Sequence, residues 1–186
     1  MVHNTLLDVY PIASSLTLPY KDLFFRTVEH LYQYLKIVQA LGDEDYARAS
    51  FPTTTPDRHV TAATAKSLGS RKAYRQHVLN TPKHPFSVKF PTKKAMDSHI
   101  KERMKWWETI DKDTGTRPNR EAMMLALALK YCFKSHPRLA KALIDTGRRS
   151  LGETGRGRGT WLWRGGNLMG ECLMETRQKL IVDMGN

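Results

Sequence analysis

The chain has 186 residues, of which 40% are hydrophobic and 26% charged. That balance supports a folded domain with its own core and excludes a disordered chain or one that needs disulfides to fold. Thirty Lys and Arg against eighteen Asp and Glu leave a net charge of +12, which favours nucleic acid, phosphorylated nucleotides or an anionic surface as partner.

No apolar run approaches the roughly 18 residues that would cross a bilayer, so no membrane partner is expected. The opening Met1-Val2-His3-Asn4 has neither the basic start nor the apolar run of a signal peptide, and the expected location is cytoplasmic, or nuclear in a eukaryote.

Along the chain, residues 1–26 read as extended or looped, because Tyr10-Pro11, Ser14-Ser15 and Pro19 interrupt any helical period. Thr27 is placed to cap a helix over 28–40 that Gly42 stops. Its apolar stripe is Val28, Leu31, Tyr32, Leu35 and Val38, while Glu29, Gln33 and Lys36 share another face through their i, i+4, i+7 spacing. A second short helix is expected to start near Asp43 and end before Pro52, and a third to run over about 56–68, closed by Gly69. Residues 70–100 are crowded with Arg71, Lys72, Arg75, His77, Lys83, His84, Lys89, Lys93 and Lys94. They read as a long basic loop, or as an insertion at about 72–100.

Thr92 suits the cap of a helix that ends beyond Trp106-Trp107. A turn over 111–119 leads into an apolar helix over about 120–134, and Pro137 opens the next, which Gly147 stops. Residues 150–166 are rich in glycine and arginine, and Asn167 is placed to cap a last helix through Val182. No internal repeat is visible. The expected fold is mainly α: one compact domain over 1–186, of six to seven helices with at most short β-strands near the N-terminus and over 148–164. Cys132 and Cys172 lie in apolar helical patterns without metal-ligand spacing, and are expected as buried thiols, with no metal and no cofactor.

Two groups of residues carry chemistry. Glu29, Gln33 and Lys36 align a carboxylate, an amide and an amine on one helical surface, an arrangement that an ordinary solvated helix face also produces. The segment from Arg156 to Asn167 is more distinctive. Its glycines, Gly166 among them, permit close approach to a phosphate, and Arg156 and Arg158 supply bidentate charge. Trp161 and Trp163 offer faces to a base, and Asn167 begins a helix whose N-terminus attracts anions. One indole of the Trp106-Trp107 pair belongs in the core, and the other is available to a ligand.

In order along the chain, these fragments resemble a known set of motifs. Tyr10-Pro11 precedes Thr27-Val-Glu-His-Leu-Tyr-Gln-Tyr-Leu-Lys36, similar to a Tyr-Pro and a Thr/Ser-x-Glu-His-x-x-Gln-x-x-Lys. Ala65-Lys-Ser-Leu-Gly69 resembles an Ala-x-x-Leu-Gly-Arg element, with Arg71 one residue late. The Trp106-Trp107 pair, Leu139 to Gly147, Leu151-Gly-Glu153 and Trp163-Arg-Gly-Gly-Asn-Leu-Met-Gly170, followed by Leu173, Met174 and Arg177, complete the series. The family so resembled is the NADAR, or YbiA-like, family. The chain departs from it at Asp8, where the family has asparagine, and at Arg158, where it has aspartate leading into Trp-Gly-x-Gly.

The resemblance implies an N-glycosidase that cuts between ribose and a base nitrogen. It implies Glu29 and Lys36 as catalytic residues. Substrate binding would fall to Gln33, Trp107, Glu153, Arg156, Arg158, Trp161, Trp163, Gly166 and Asn167. Lys36 fits a nucleophile that captures the opened sugar as an imine, Glu29 an acid/base, and Gln33 an orienting group. The implied substrates are ADP-ribose on the amino group of guanine, in nucleic acid or nucleotides, or the phosphorylated intermediates of riboflavin synthesis. The +12 charge favours the first. A non-catalytic module that binds ADP-ribose or nucleic acid is the rival reading, and no obligate protein partner is implied.

Overall fold

The computed structural model describes residues 18–52, 61–110, 112, 115–152 and 167–185. Those residues are mainly helical: nine α-helices, one π-helical turn and one two-stranded sheet. The chain divides into two compact units, Leu18–Ala122, and Met123–Asn186 together with Met1–Thr17.

The first unit opens with an antiparallel hairpin, β1 (Leu18–Tyr20) and β2 (Leu23–Phe25), in the register Leu18 to Phe25 and Tyr20 to Leu23. Alternation is visible: Leu18, Leu23 and Phe25 are buried while Phe24 points outward. Helix α1 (Val28–Lys36) follows at once. The Thr27 hydroxyl caps it by accepting from the His30 N–H at 3.4 Å. Val28, Leu31, Tyr34 and Leu35 carry its buried face. A π-helical turn, Ile37–Leu41, extends the helix, and Gly42 ends it at φ 71°, a left-handed conformation that costs glycine little.

Helix α2 (Glu44–Ser50) is capped by Asp43, whose Oδ1 accepts from the Tyr46 N–H at 2.9 Å. Helix α3 (Ala62–Leu68) is capped by Thr61, and the expected earlier start falls partly outside the described residues. Gly69 does follow it, but at φ −75°, so its conformation does not call for glycine. The need is space: a Cβ there would run into the Gln33 carboxamide.

The basic stretch differs from expectation. It is not a loop but α4 (Arg71–Asn80), α5 (Pro85–Lys89) and the first half of α6 (Lys93–Glu108). Ser70, His84 and Thr92 cap these helices. Tyr74 with Val78, and Met96 with Ile100, supply buried anchors four residues apart. Two anchors in α4 and two in this half of α6 suffice where long Lys and Arg side chains, themselves good helix formers, cover the rest, and α5 itself buries none.

In the second unit, α7 (Pro118–Lys130, belonging to this unit from Met123 onward) ends earlier than the apolar pattern suggests, in a turn over 131–135. Helix α8 (Pro137–Ile144) packs against α9 (Leu168–Gly185), and Leu139, Ala140 and Leu143 of the one and Cys172 and Leu173 of the other are buried. Arg177, also buried, donates to Thr146 Oγ1 at 2.7 Å and to the Arg149 carbonyl at 3.0 Å. Of the two cysteines expected to be buried, Cys172 is, whereas Cys132 is half-exposed in the turn after α7.

A candidate active site on the first long helix

Glu29, Gln33 and Lys36 lie on α1 within about 10 Å of helix rise. Gln33 Nε2 donates to Glu29 Oε1 at 2.7 Å, which orients the carboxylate. The Gln33 side chain is no solvated face residue: it is 3% exposed. Its Oε1 is buried without a hydrogen-bond partner, pressed against Gly69 at the end of α3. The close approach of α3 to α1 therefore fixes Gln33, and Gln33 fixes Glu29.

Lys36 is the last residue of α1, half-buried just before the π-helical turn. π-helical turns recur at functional sites. Burial pushes the Lys36 ammonium below the usual lysine range. The Glu29 and Glu108 carboxylates oppose that shift, and the Lys66 cation adds to it. The net result is an amine easier to deprotonate than an ordinary lysine. Sequence reasoning alone misses Lys66 and Glu108. Lys66 lies inside the motif that ends at Gly69 and was open to discovery there; Glu108, at the end of α6, carries no sequence signal.

The other expected residues separate. Trp107 is 1% exposed, with its indole N–H donated to the Tyr32 hydroxyl at 3.2 Å and the two rings 5.8 Å apart. It is a core residue and not the substrate contact expected of it, because the hydrogen bond and the packing both turn the ring inward. The half-exposed indole is that of Trp106, which carries the Arg103 guanidinium 4.5 Å over its ring.

Asn167, in the second unit, spends both ends of its amide on main chain. Nδ2 donates to the Leu151 carbonyl at 2.7 Å, and Oδ1 accepts from the Gly170 N–H at 3.2 Å. It caps α9 as expected, and these two bonds hold the helix start. Glu153, Arg156, Arg158, Trp161, Trp163 and Gly166 lie outside the described residues.

Among the described residues, one group of side chains has the spacing of a metal site: ligand atoms of Asp43, His77 and His84 lie within 4.8 Å of one another. The hydrogen bonds argue for another use. His84 Nδ1 accepts from the Phe86 N–H at 3.1 Å as the cap of α5, so Nε2 carries the proton and donates to Asp43 Oδ2 at 3.0 Å. A metal at Nε2 would require that proton to leave and the cap to break. Burial alone would raise the Asp43 carboxyl, but the Tyr46 N–H, the Tyr74 hydroxyl and His84 hold it below its ordinary value. The cluster is a post that ties α2, α4 and α5 together.

Comparisons with known protein families, with curated proteins and with solved structures found no match to this chain.

Proposed function

We propose that the protein is an N-glycosidase that removes ADP-ribose from the amino group of guanine, in nucleic acid or nucleotides. The observation that carries this reading is the half-buried Lys36 amine, its pKa lowered by burial, on the same helix face as a Glu29 carboxylate held by Gln33. The motif resemblance and the +12 charge support the choice of substrate.

An amine-linked ribose opens to an imine between the anomeric carbon and the guanine nitrogen. The neutral Lys36 amine adds to that carbon, Glu29 relays the two protons of the amine in turn to the guanine nitrogen, and guanine leaves as its amine while the lysine becomes the imine. Water then adds to the lysine imine, Glu29 relays its two protons to the lysine nitrogen, and free ADP-ribose departs with the lysine regenerated. The sum is one water consumed and one C–N bond broken. Gln33 keeps Glu29 in place through both transfers.

The test offers ADP-ribosylated guanine DNA and, separately, phosphorylated riboflavin intermediates, with borohydride added during turnover. Release of ADP-ribose from the DNA, with a sugar adduct on the Lys36 peptide that is lost in Lys36→Arg, is the expected result. Cleavage of the riboflavin intermediates alone would replace the substrate. Tight binding without base release would mark a binding module instead.

A further inference from the structure

The first unit carries a second feature that the α1 chemistry does not use. Between Arg71 and Lys105 the sequence holds ten Lys and Arg against only Asp97 and Glu102. Helices α4, α5 and α6 pack on one another, so these charges share one body. Among the described cations of this stretch, Arg75 is paired, with Asp97 at 3.3 Å. The placement of others runs against helix electrostatics. Arg71 and Lys72 open α4, Lys93 and Lys94 open α6, and neither first turn contains an acidic residue. Cations at the positive end of a helix repel it, and a bound polyanion would relieve both repulsions at once.

Flat rings are set among these charges. Phe90 and His99 stack at 4.7 Å and 35°, Phe86 meets both edge-on, and the Lys89 ammonium lies 5.6 Å over Phe90. Phe86, Phe90 and His99 are all half-exposed. A duplex turns its bases inward and has no use for exposed rings, whereas a single strand offers every base face for stacking. We propose that the surface formed by α4, α5 and α6 binds single-stranded nucleic acid, with the N-terminal turns of α4 and α6 holding backbone phosphates and the Phe86/Phe90/His99 cluster receiving bases.

The test uses the full chain with an unmodified fluorescent oligothymidylate, the same strand in a duplex, and inorganic polyphosphate as competitor, over a salt series. The single strand should bind about tenfold tighter than the duplex. Lys93→Gln with Lys94→Gln, both exposed, should lower the slope of log K against log salt by about 1.4, roughly 0.7 for each phosphate no longer neutralised. Phe90→Leu should weaken strand binding about fivefold at unchanged slope. Duplex binding equal to or tighter than strand binding would overturn the proposal. So would an unchanged slope in the lysine variant, or polyphosphate competing as well as the strand. Because the probe carries no ADP-ribose, Lys36→Arg should bind it like the parent protein, so this result and the glycosidase assay fail separately.

Discussion

A half-buried ammonium carries a desolvation cost that Glu29 and Glu108 only partly return to Lys36. The folded protein holds that proton less tightly than the unfolded chain, so stability rises with pH through the folded pKa and levels off near the ordinary lysine value of about 10.4. Lys36→Met should therefore melt no lower than the parent at neutral pH, and the difference should move in the parent's favour as pH approaches 10, as paired thermal melts would show. Under the proposed mechanism turnover should share the sign: kcat/KM should rise with pH along a limb centred below about 10.4, since the proposed nucleophile is the neutral amine. Glu29→Gln should cost about 10²–10⁴ in rate with little change in melting temperature. The Glu29, Gln33 and Lys36 alignment was legible in the sequence from helical spacing alone. The burial of Gln33 was not, because it depends on Gly69, thirty-six positions away, reaching α1 without a side chain. Gly69→Ala has no backbone penalty at φ −75°, yet should destabilise by about 1–3 kcal/mol through overpacking against Gln33. Shortening Gln33 to Ala in the same chain should recover much of that stability while leaving activity low, since Glu29 stays unanchored.

Helix caps were the most readable feature at the scale of elements. Thr27, Thr92 and Asn167 stand where the sequence suggested, because a short polar side chain before an apolar period has few other uses. The basic stretch was illegible for an equally physical reason. Charge density resembles a loop when the buried set is only Tyr74 and Val78, or Met96 and Ile100, and a lone Ser70 cap is a faint signal beside it. Thr92→Ala should cost about 1 kcal/mol, read in denaturant melts. Asp43→Ala should cost more, about 3 kcal/mol, because it strands the Tyr74 hydroxyl, the His84 Nε2–H and the Tyr46 N–H together. The same carboxyl, with its pKa held down, contributes stability above the ordinary aspartate value of about 3.9 and loses it as pH falls through the lower, folded value.

For the molecule as a whole, the excess of +12 sets a self-repulsion that added salt relieves. The described Lys and Arg ion pairs, such as Arg48 with Asp22 and Glu44, lie at the surface with little to lose on screening. The melting temperature should therefore rise from low to physiological salt, the opposite of a protein held together by surface salt bridges. Yet not every cation is free for a partner. Where the helix ends after its π-helical turn, the carbonyls of Ala40 and Gln39 accept from Arg103 at 2.7 and 3.2 Å, and the same guanidinium lies over Trp106. Arg103 is a clasp that holds α6 to the end of α1. The charge that a distant polyanion senses and the charge it can grasp are thus different quantities here. Arg103 and the paired Arg75 speed the approach of a strand but leave no footprint on its phosphates, so the salt slope should stay below about 6, roughly 0.7 for each remaining cation of the stretch.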